Sequence, residues 1–396
     1  MAVPNIAART DLLKGESAFA VLARARKLES AGKDIIHLEI GEPDFPTPEN
    51  IVEAGVQALQ DGHTHYGPTP GLLPCREAIA RYVQQGWGVD ASPENVVVTP
   101  GAKPIVFAGI LATVNPGDEA IYPDPGFPTY DSMLRFAGAT RVPLTLYEER
   151  QFRWDLDELR DSITDKTRLI ILNAPHNPTG GVFTAEELGE IADMVRGKPI
   201  WVLSDEIYSR IVYDGSHASI LAHPGMQEQT ILLDGHSKTY AMTGWRLGYG
   251  VMPVPLAEKI GLILNNATSC TASFTQMAGI EALEGPQDSV DAMVTEFRRR
   301  RDAFIGALNA IDGLSCLVPQ GAFYAFCNVK ELGVGSARLE RYWLEEAGVA
   351  SLSGTGFGAA GEGYVRFSFA NSLENLMAAA ERIEAAMPGV GALAGE

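Results

Sequence analysis

After residue 50 the chain alternates between two hydrophobic patterns. Unbroken apolar runs rich in valine and isoleucine occur at NVVVTP (95–100), DEAIYP (118–123), TRLIILN (167–173), PIWVLSDE (199–206) and TILLDG (230–235). Their lack of apolar–polar alternation predicts strands buried on both faces. Between them lie helically spaced segments such as EELGEIADMVRG (186–197), which ends on Gly197. Strand and helix in this rhythm predict an α/β fold, a mostly parallel sheet with helices on both faces. The last third reads differently. It predicts a long charged helix over 294–311, strands GAFYAFCNV (321–329) and YVRFSFA (364–370), and a closing helix over 372–387 N-capped by Ser372. The expected organisation is an N-terminal arm over 1–47 that also serves the small domain, a large domain over 48–290, and a small α+β domain over 291–396.

In an open parallel sheet, ligands bind at the C-terminal ends of the strands, and four unusual sequences fall there. Gly101-Ala102-Lys103-Pro104 follows the first run; a proline is tolerated only in a helix's first turn, so a helix starts at about 101–103. Its free N–H groups would suit an anion, although an ordinary turn has the same make-up. APHNPTG (174–180) is a rigid loop able to fix the direction of Asn177, or a plain turn. PIWVLSDEIY ends on Asp205 and Glu206, with Tyr208 close behind; a carboxylate here wants a cation. DGHSKTYAMTGWRLGYG (234–250) places Lys238 just beyond a strand and Arg246 further on. A lysine in a cleft beside other cations becomes nucleophilic.

Composition narrows the classes without naming one. Hydrophobic residues make up 46% and charged residues 20%, as in ordinary globular domains. No apolar run reaches about 18 residues, so no membrane-spanning helix is expected. The start MAVPNIAARTDLLKGE lacks a secretory pattern, and Cys75, Cys270, Cys316 and Cys327 form no CxxC pair. A reducing cytoplasm is the expected location. The 31 basic and 50 acidic residues give a net charge of −19, which speaks against nucleic-acid and membrane partners. His63 and His65 have no third ligand in the pattern, so no metal site is expected; Arg298 to Arg301 read as a solvated helix face.

With NAPHNPTGG, SDEIY and SKTYAMTGWRLGY in register, the chain resembles the aspartate-aminotransferase family, class I/II of the fold-type I pyridoxal-phosphate enzymes. The resemblance runs from LEIGEPDFPTP (38–48) to VRFSFANS (365–372). It implies a large domain with a mostly parallel seven-stranded sheet, a smaller α+β domain, and pyridoxal 5′-phosphate as cofactor. It implies Lys238 as Schiff-base lysine and proton shuttle, with Asp205 paired to the pyridinium nitrogen. Tyr208 and Asn177 would bond the ring's phenolic oxygen, and Phe127 would stack on the ring. Phosphate would sit on Gly101, Ala102, Lys103, Ser237 and Arg246, and Tyr66 would reach it from a second copy in a homodimer. Relatives often carry serine or threonine where this chain has Gly235, which shifts weight to the helix start and Lys103. Arg366 would grip the substrate α-carboxylate, with Gly41 allowing close backbone approach and a cis peptide expected before Pro178.

The implied reaction is a ping-pong transfer between an L-amino acid and a 2-oxo acid. The segments 105–114 and 262–279 hold no basic residue, which favours a neutral or aromatic donor, with Phe19 and Phe274 as pocket candidates. An aspartate:2-oxoglutarate aminotransferase and a C–S β-lyase on the same scaffold are the alternatives.

Overall fold

The computed structural model describes residues 5–393; the first four and last three residues of the expected domains lie outside it. Seven strands build the main sheet: β1 (Val96–Thr99), β2 (Glu119–Asp124), β3 (Thr140–Thr145), β4 (Thr167–Asn173), β5 (Trp201–Asp205), β6 (Thr230–Gly235) and β7 (Gly248–Val251). Their order is β1-β7-β6-β5-β4-β2-β3, with every pair parallel except those of β7, which runs antiparallel to β1 and β6. The sheet is therefore mixed. Leu169 and Ile171 pack into one hydrophobic layer, Ile170 and Leu172 into the other. Apolar residues on both faces explain why the sequence shows no alternation.

The five apolar runs became β1, β2, β4, β5 and β6. The two strands they omit lack that signal. β3 is an edge strand interrupted by Pro143, a residue that costs nothing where no outer neighbour needs its N–H. β7 has glycine at two of its four positions.

The smaller sheet is antiparallel: β8 (Ser315–Cys316), β9 (Tyr324–Asn328), β10 (Leu352–Ser353) and β11 (Tyr364–Ser368), ordered β10-β11-β9-β8. Beside it, Ile36–His37 of the N-terminal segment pairs in parallel with Val349–Ala350 as a separate two-stranded sheet. The closing helix is Leu373–Leu393, and Ser372 caps it by accepting from the Asn375 N–H at 3.1 Å.

Two of the four consecutive arginines are not solvated. On the helix Asp288–Asn309, Arg300 and Arg301 are buried. Arg300 lies over Phe45 and Phe297 and pairs with Asp44 and Glu296; Arg301 lies over Tyr213 and pairs with Asp214 and Asp302. The helical period turns these positions inward with Phe297 and Phe304, and paired guanidiniums cap the aromatic core.

One pH effect belongs to the N-terminal segment. His37 is bonded by Glu39 at 2.8 Å and by Glu29, from the helix Ser17–Ser30, at 3.1 Å. Chiefly through the Glu39 bond, its pKa rises from 6.5 to about 9. The folded value lies above the unfolded one, so the stabilisation is full below pH 6.5 and is lost as pH rises through about 9. Amide exchange in Ser17–Ser30 is expected to accelerate across that window beyond its intrinsic pH dependence. A His37→Gln protein showing the same acceleration would contradict it.

Candidate active site

A cavity of about 880 Å3 opens where the main sheet's C-terminal strand ends meet the smaller sheet. Asn173 ends β4 and Asp205 ends β5; β6 ends at Gly235, and Lys238 follows in the short helix His236–Thr239. β11 supplies Arg366 from the opposite side. Every residue expected to hold cofactor or substrate lines this cavity except Gly101, Tyr66 and Phe274. Gly101 lies just behind the lining, Tyr66 is 93% exposed, and Phe274 is half-buried on the helix Ser273–Glu284. Phe19 does line it.

Charge is the cavity's main feature. The Lys238 ammonium donates to the Gly41 carbonyl at 2.6 Å. Burial, opposed by Glu42 and aided by Arg366 and Arg246, lowers its pKa to about 8. A lysine so placed holds an appreciable neutral fraction near pH 7. Asp205 is buried and has no cation within ion-pair distance among the described residues. Burial pushes its carboxyl up to about 6 against two donors, the Tyr130 hydroxyl at 2.6 Å and the Ile207 N–H at 3.3 Å.

Arg366 is the mirror image. It is buried with no carboxylate partner among the described residues, and its Nε has no hydrogen-bond acceptor. One Nη donates to Asn177 Oδ1 at 3.0 Å and the other to the Glu39 carbonyl at 2.6 Å. Tyr324 and Phe357 sandwich its guanidinium at 4.3 and 4.9 Å. A buried carboxylate without a cation and a buried guanidinium without an anion are both costly. A ligand carrying one positive and one negative group into the cavity satisfies them together.

Asn177 is oriented by its neighbours: its N–H donates to Asn173 Oδ1 at 3.0 Å, and the peptide to Pro178 is cis, as the resemblance implied. The Tyr208 and Tyr324 hydroxyls share a hydrogen bond of 2.7 Å. Gly41 is required by space: a Cβ there would stand 2.1 Å from the Tyr324 hydroxyl.

On the other wall, Lys103 is the first residue of the helix Lys103–Thr113, and Ala102 is its cap. Gly101 adopts φ +87°, and a Cβ would collide with the Arg246 guanidinium at 2.1 Å. Glycine thus lets Arg246 lie against the helix start, where Ser237 also lines the cavity. Lys103 departs from expectation: its ammonium is ion-paired with Glu16 and lies over the Phe127 ring at 5.3 Å. A half-exposed lysine takes the nearest carboxylate, and the sequence offered no sign that Glu16 folds back to it.

Sequence reasoning missed Tyr130, Tyr324 and Phe357. Tyr130 and Tyr324 stand inside quoted segments, PDPGFPTY and GAFYAFCNV, but neither segment says which hydroxyl turns inward. The expected absence of a metal stays an expectation, and among the described residues no group of three or more metal-ligating side chains is gathered. No helix among them is long and apolar enough to cross a membrane.

The family profile described as "Aminotransferase class I and II" matches residues 33–383. The chain is similar to the aspartate aminotransferase of Pyrococcus horikoshii, 40% identical over 387 residues, covering 97% of each chain. It is also similar to aromatic-amino-acid aminotransferase 2 of Thermococcus litoralis, 42% identical over 355 residues, covering 88% of this chain and 91% of the relative. Among solved structures, the aspartate aminotransferase from Rhizobium meliloti matches with a TM-score of 0.93 at 34% identity, over 98% of this chain and 99% of that one.

Proposed function

Since this chain belongs to the class I and II aminotransferases, we propose that it is a pyridoxal-phosphate enzyme built around Lys238. It moves the amino group of a neutral or aromatic L-amino acid to a 2-oxo acid by a ping-pong course. The observation that carries this reading is a pair of buried groups without a counter-charge among the described residues, Asp205 and Arg366, facing one cavity with the amine of Lys238. Pyridoxal phosphate fits that set: its pyridinium N–H suits Asp205, its aldehyde suits Lys238, and its phosphate suits the Lys103–Thr113 helix start with Ser237 and Arg246. Bound there, the group supplies an electron sink for the bonds at the substrate's α-carbon.

The chain's own residues do the rest. The Lys238 amine, neutral in part near pH 7, would take the proton from the substrate's α-carbon and hold it for return. The Asp205 carboxylate holds a positive charge in place at the β5 end, and the Tyr130 hydroxyl fixes its direction. Arg366 grips the α-carboxylate in a two-pronged pair, with Asn177 steadying the guanidinium. Tyr208 and Asn177 present donors toward the ring oxygen, and Phe127 covers the ring face. An aspartate donor is the second reading, favoured by the name of the Pyrococcus horikoshii relative.

A homodimer is part of the proposal. Tyr66 is almost fully exposed, and the helix Glu49–Gln60 leaves Val52, Val56 and Leu59 exposed along one side. A second copy covering that face brings its own Tyr66 toward this chain's phosphate wall. A large domain over 48–290, a small one over 291–396 with the 1–47 arm, and a cytoplasmic location complete it; the cysteines are all free.

The test is to reconstitute the protein with pyridoxal phosphate and supply phenylalanine with 2-oxoglutarate, measuring both products. Equimolar glutamate and phenylpyruvate are expected; ammonia without amino transfer would sink the assignment. A separate consequence concerns the cofactor-free protein. Asp205's folded pKa of about 6 lies above its ordinary 3.8, so its contribution is full below pH 3.8 and lost as pH rises through about 6. Asp205→Asn is expected to stabilise that form by about 1–3 kcal/mol at pH 8, with the gain shrinking toward pH 4. Urea unfolding at both pH values checks it; a variant less stable at pH 8 would contradict it.

A further inference from the structure

We propose that Cys316 and Cys327 are a peroxide-sensitive pair that closes into a reversible disulfide across the smaller sheet. The two are direct partners in the antiparallel ladder between β8 and β9. Directly opposed side chains leave a sheet on the same face, and both cysteines belong to the apolar cluster packed there.

The side chain of Asn309, the last residue of the helix Asp288–Asn309, makes this pair a close one. Its Oδ1 accepts from the Cys316 N–H at 2.6 Å, and its Nδ2 donates to the Cys316 carbonyl at 3.0 Å. Asn309 thus stands where an outer strand would, and Cys316 turns its backbone groups to it and away from β9. An antiparallel pair without ladder bonds of its own is the narrow kind, with Cα atoms about 4.5 Å apart. Disulfides span Cα separations of about 4.4–6.8 Å, so neither strand has far to move. Cys75 lies in a different apolar cluster, and Cys270 sits half-buried just before the helix Ser273–Glu284.

The neighbouring Cys327 thiol, and then burial, hold the Cys316 thiol well above its usual range. The pair is therefore inert while β8 stays docked, and it reacts when that two-residue edge strand opens. One sulfur attacks a peroxide oxygen, the O–O bond breaks, and the leaving hydroxide departs as water with a thiol proton. The second sulfur attacks the first, the S–O bond breaks, and a second water leaves with the other proton. Each sulfur loses one electron and the peroxide gains both; excess thiol reverses the bond by exchange.

The bond closes a loop over 317–326 that braces the cavity. The Gln320 and Gly321 N–H groups donate to the Gly180 carbonyl at 3.0 and 2.9 Å, and Tyr324 lines the cavity. A link at the base of this loop holds it where it already lies, so oxidation strengthens the smaller domain.

The test treats the full chain with hydrogen peroxide, alkylates the remaining thiols after denaturation, and maps unreduced peptides by mass spectrometry. The expected product is one cross-link joining the peptides that hold Cys316 and Cys327, undone by dithiothreitol. The oxidised protein is expected to unfold about 5 °C higher, a shift lost in Cys316→Ala and kept in Cys270→Ser. Both cysteines still open to alkylation, sulfinic acid in place of the cross-link, or a cross-link formed only in urea would overturn the proposal. The peptide map is read on the wild type, so it decides the matter even where the alanine variant fails to fold.

Discussion

Lys238→Ala is expected to lower the rate of amino transfer by at least about 10⁴-fold while leaving the fold intact. The loss is large because one amine serves two ends, attachment of the cofactor and movement of the α-proton. Its pKa of about 8 keeps part of it neutral at working pH, whereas an ordinary lysine amine is almost wholly charged there. The fold has little to lose, since the side chain gives up one hydrogen bond to the Gly41 carbonyl and faces a cavity. Lys238→Arg makes the sharper control: it keeps a cation but cannot supply a neutral amine, so it is expected to be as inactive as the alanine variant. Single-turnover release of 2-oxo acid measures both. A loss under about tenfold in either variant would place the chemistry on another residue.

Arg366→Leu carries the second large effect. Breaking a buried, two-pronged ion pair from one side costs about 3–5 kcal/mol, so kcat/KM is expected to fall by about 10²–10⁴-fold for every amino acid tested. Most of the loss is expected in KM, because the α-carboxylate is gripped before and during the reaction alike. Without substrate the sign reverses. Arg366 is a buried cation with an unpaired Nε and no carboxylate partner among the described residues. Leucine removes that cost, so the ligand-free variant is expected to unfold at the same temperature as the wild type or higher. A variant that loses stability but keeps its KM would make Arg366 a packing residue.

The two charge-changing sites together explain what the sequence could and could not disclose. Strand ends are legible because doubly buried strands announce themselves as apolar runs, and Asp205 and Lys238 are conspicuous as charges set at those ends. β3 and β7 are not legible, since an edge strand tolerates Pro143 and a glycine-rich strand has no apolar run to read. Residues that line the cavity near those ends came through with them. Contacts between elements far apart in the chain did not. The Tyr130 hydroxyl reaches Asp205 across 75 positions of chain, and Arg366 reaches Asn177 across 189. No local pattern encodes such a meeting. Lys103 shows the same limit in reverse, because its capture by Glu16 depends on where the N-terminal helix lies.

The central claim is that Lys238, Asp205 and Arg366 form one site that keeps the amino group rather than releasing it. Its most direct test adds single L-amino acids to the reconstituted protein with no 2-oxo acid present, and counts products. One equivalent of 2-oxo acid per bound cofactor, with no ammonia and no further turnover, is the predicted result. Continuous release of pyruvate and ammonia from a sulfur-containing amino acid would contradict it and make the protein a lyase.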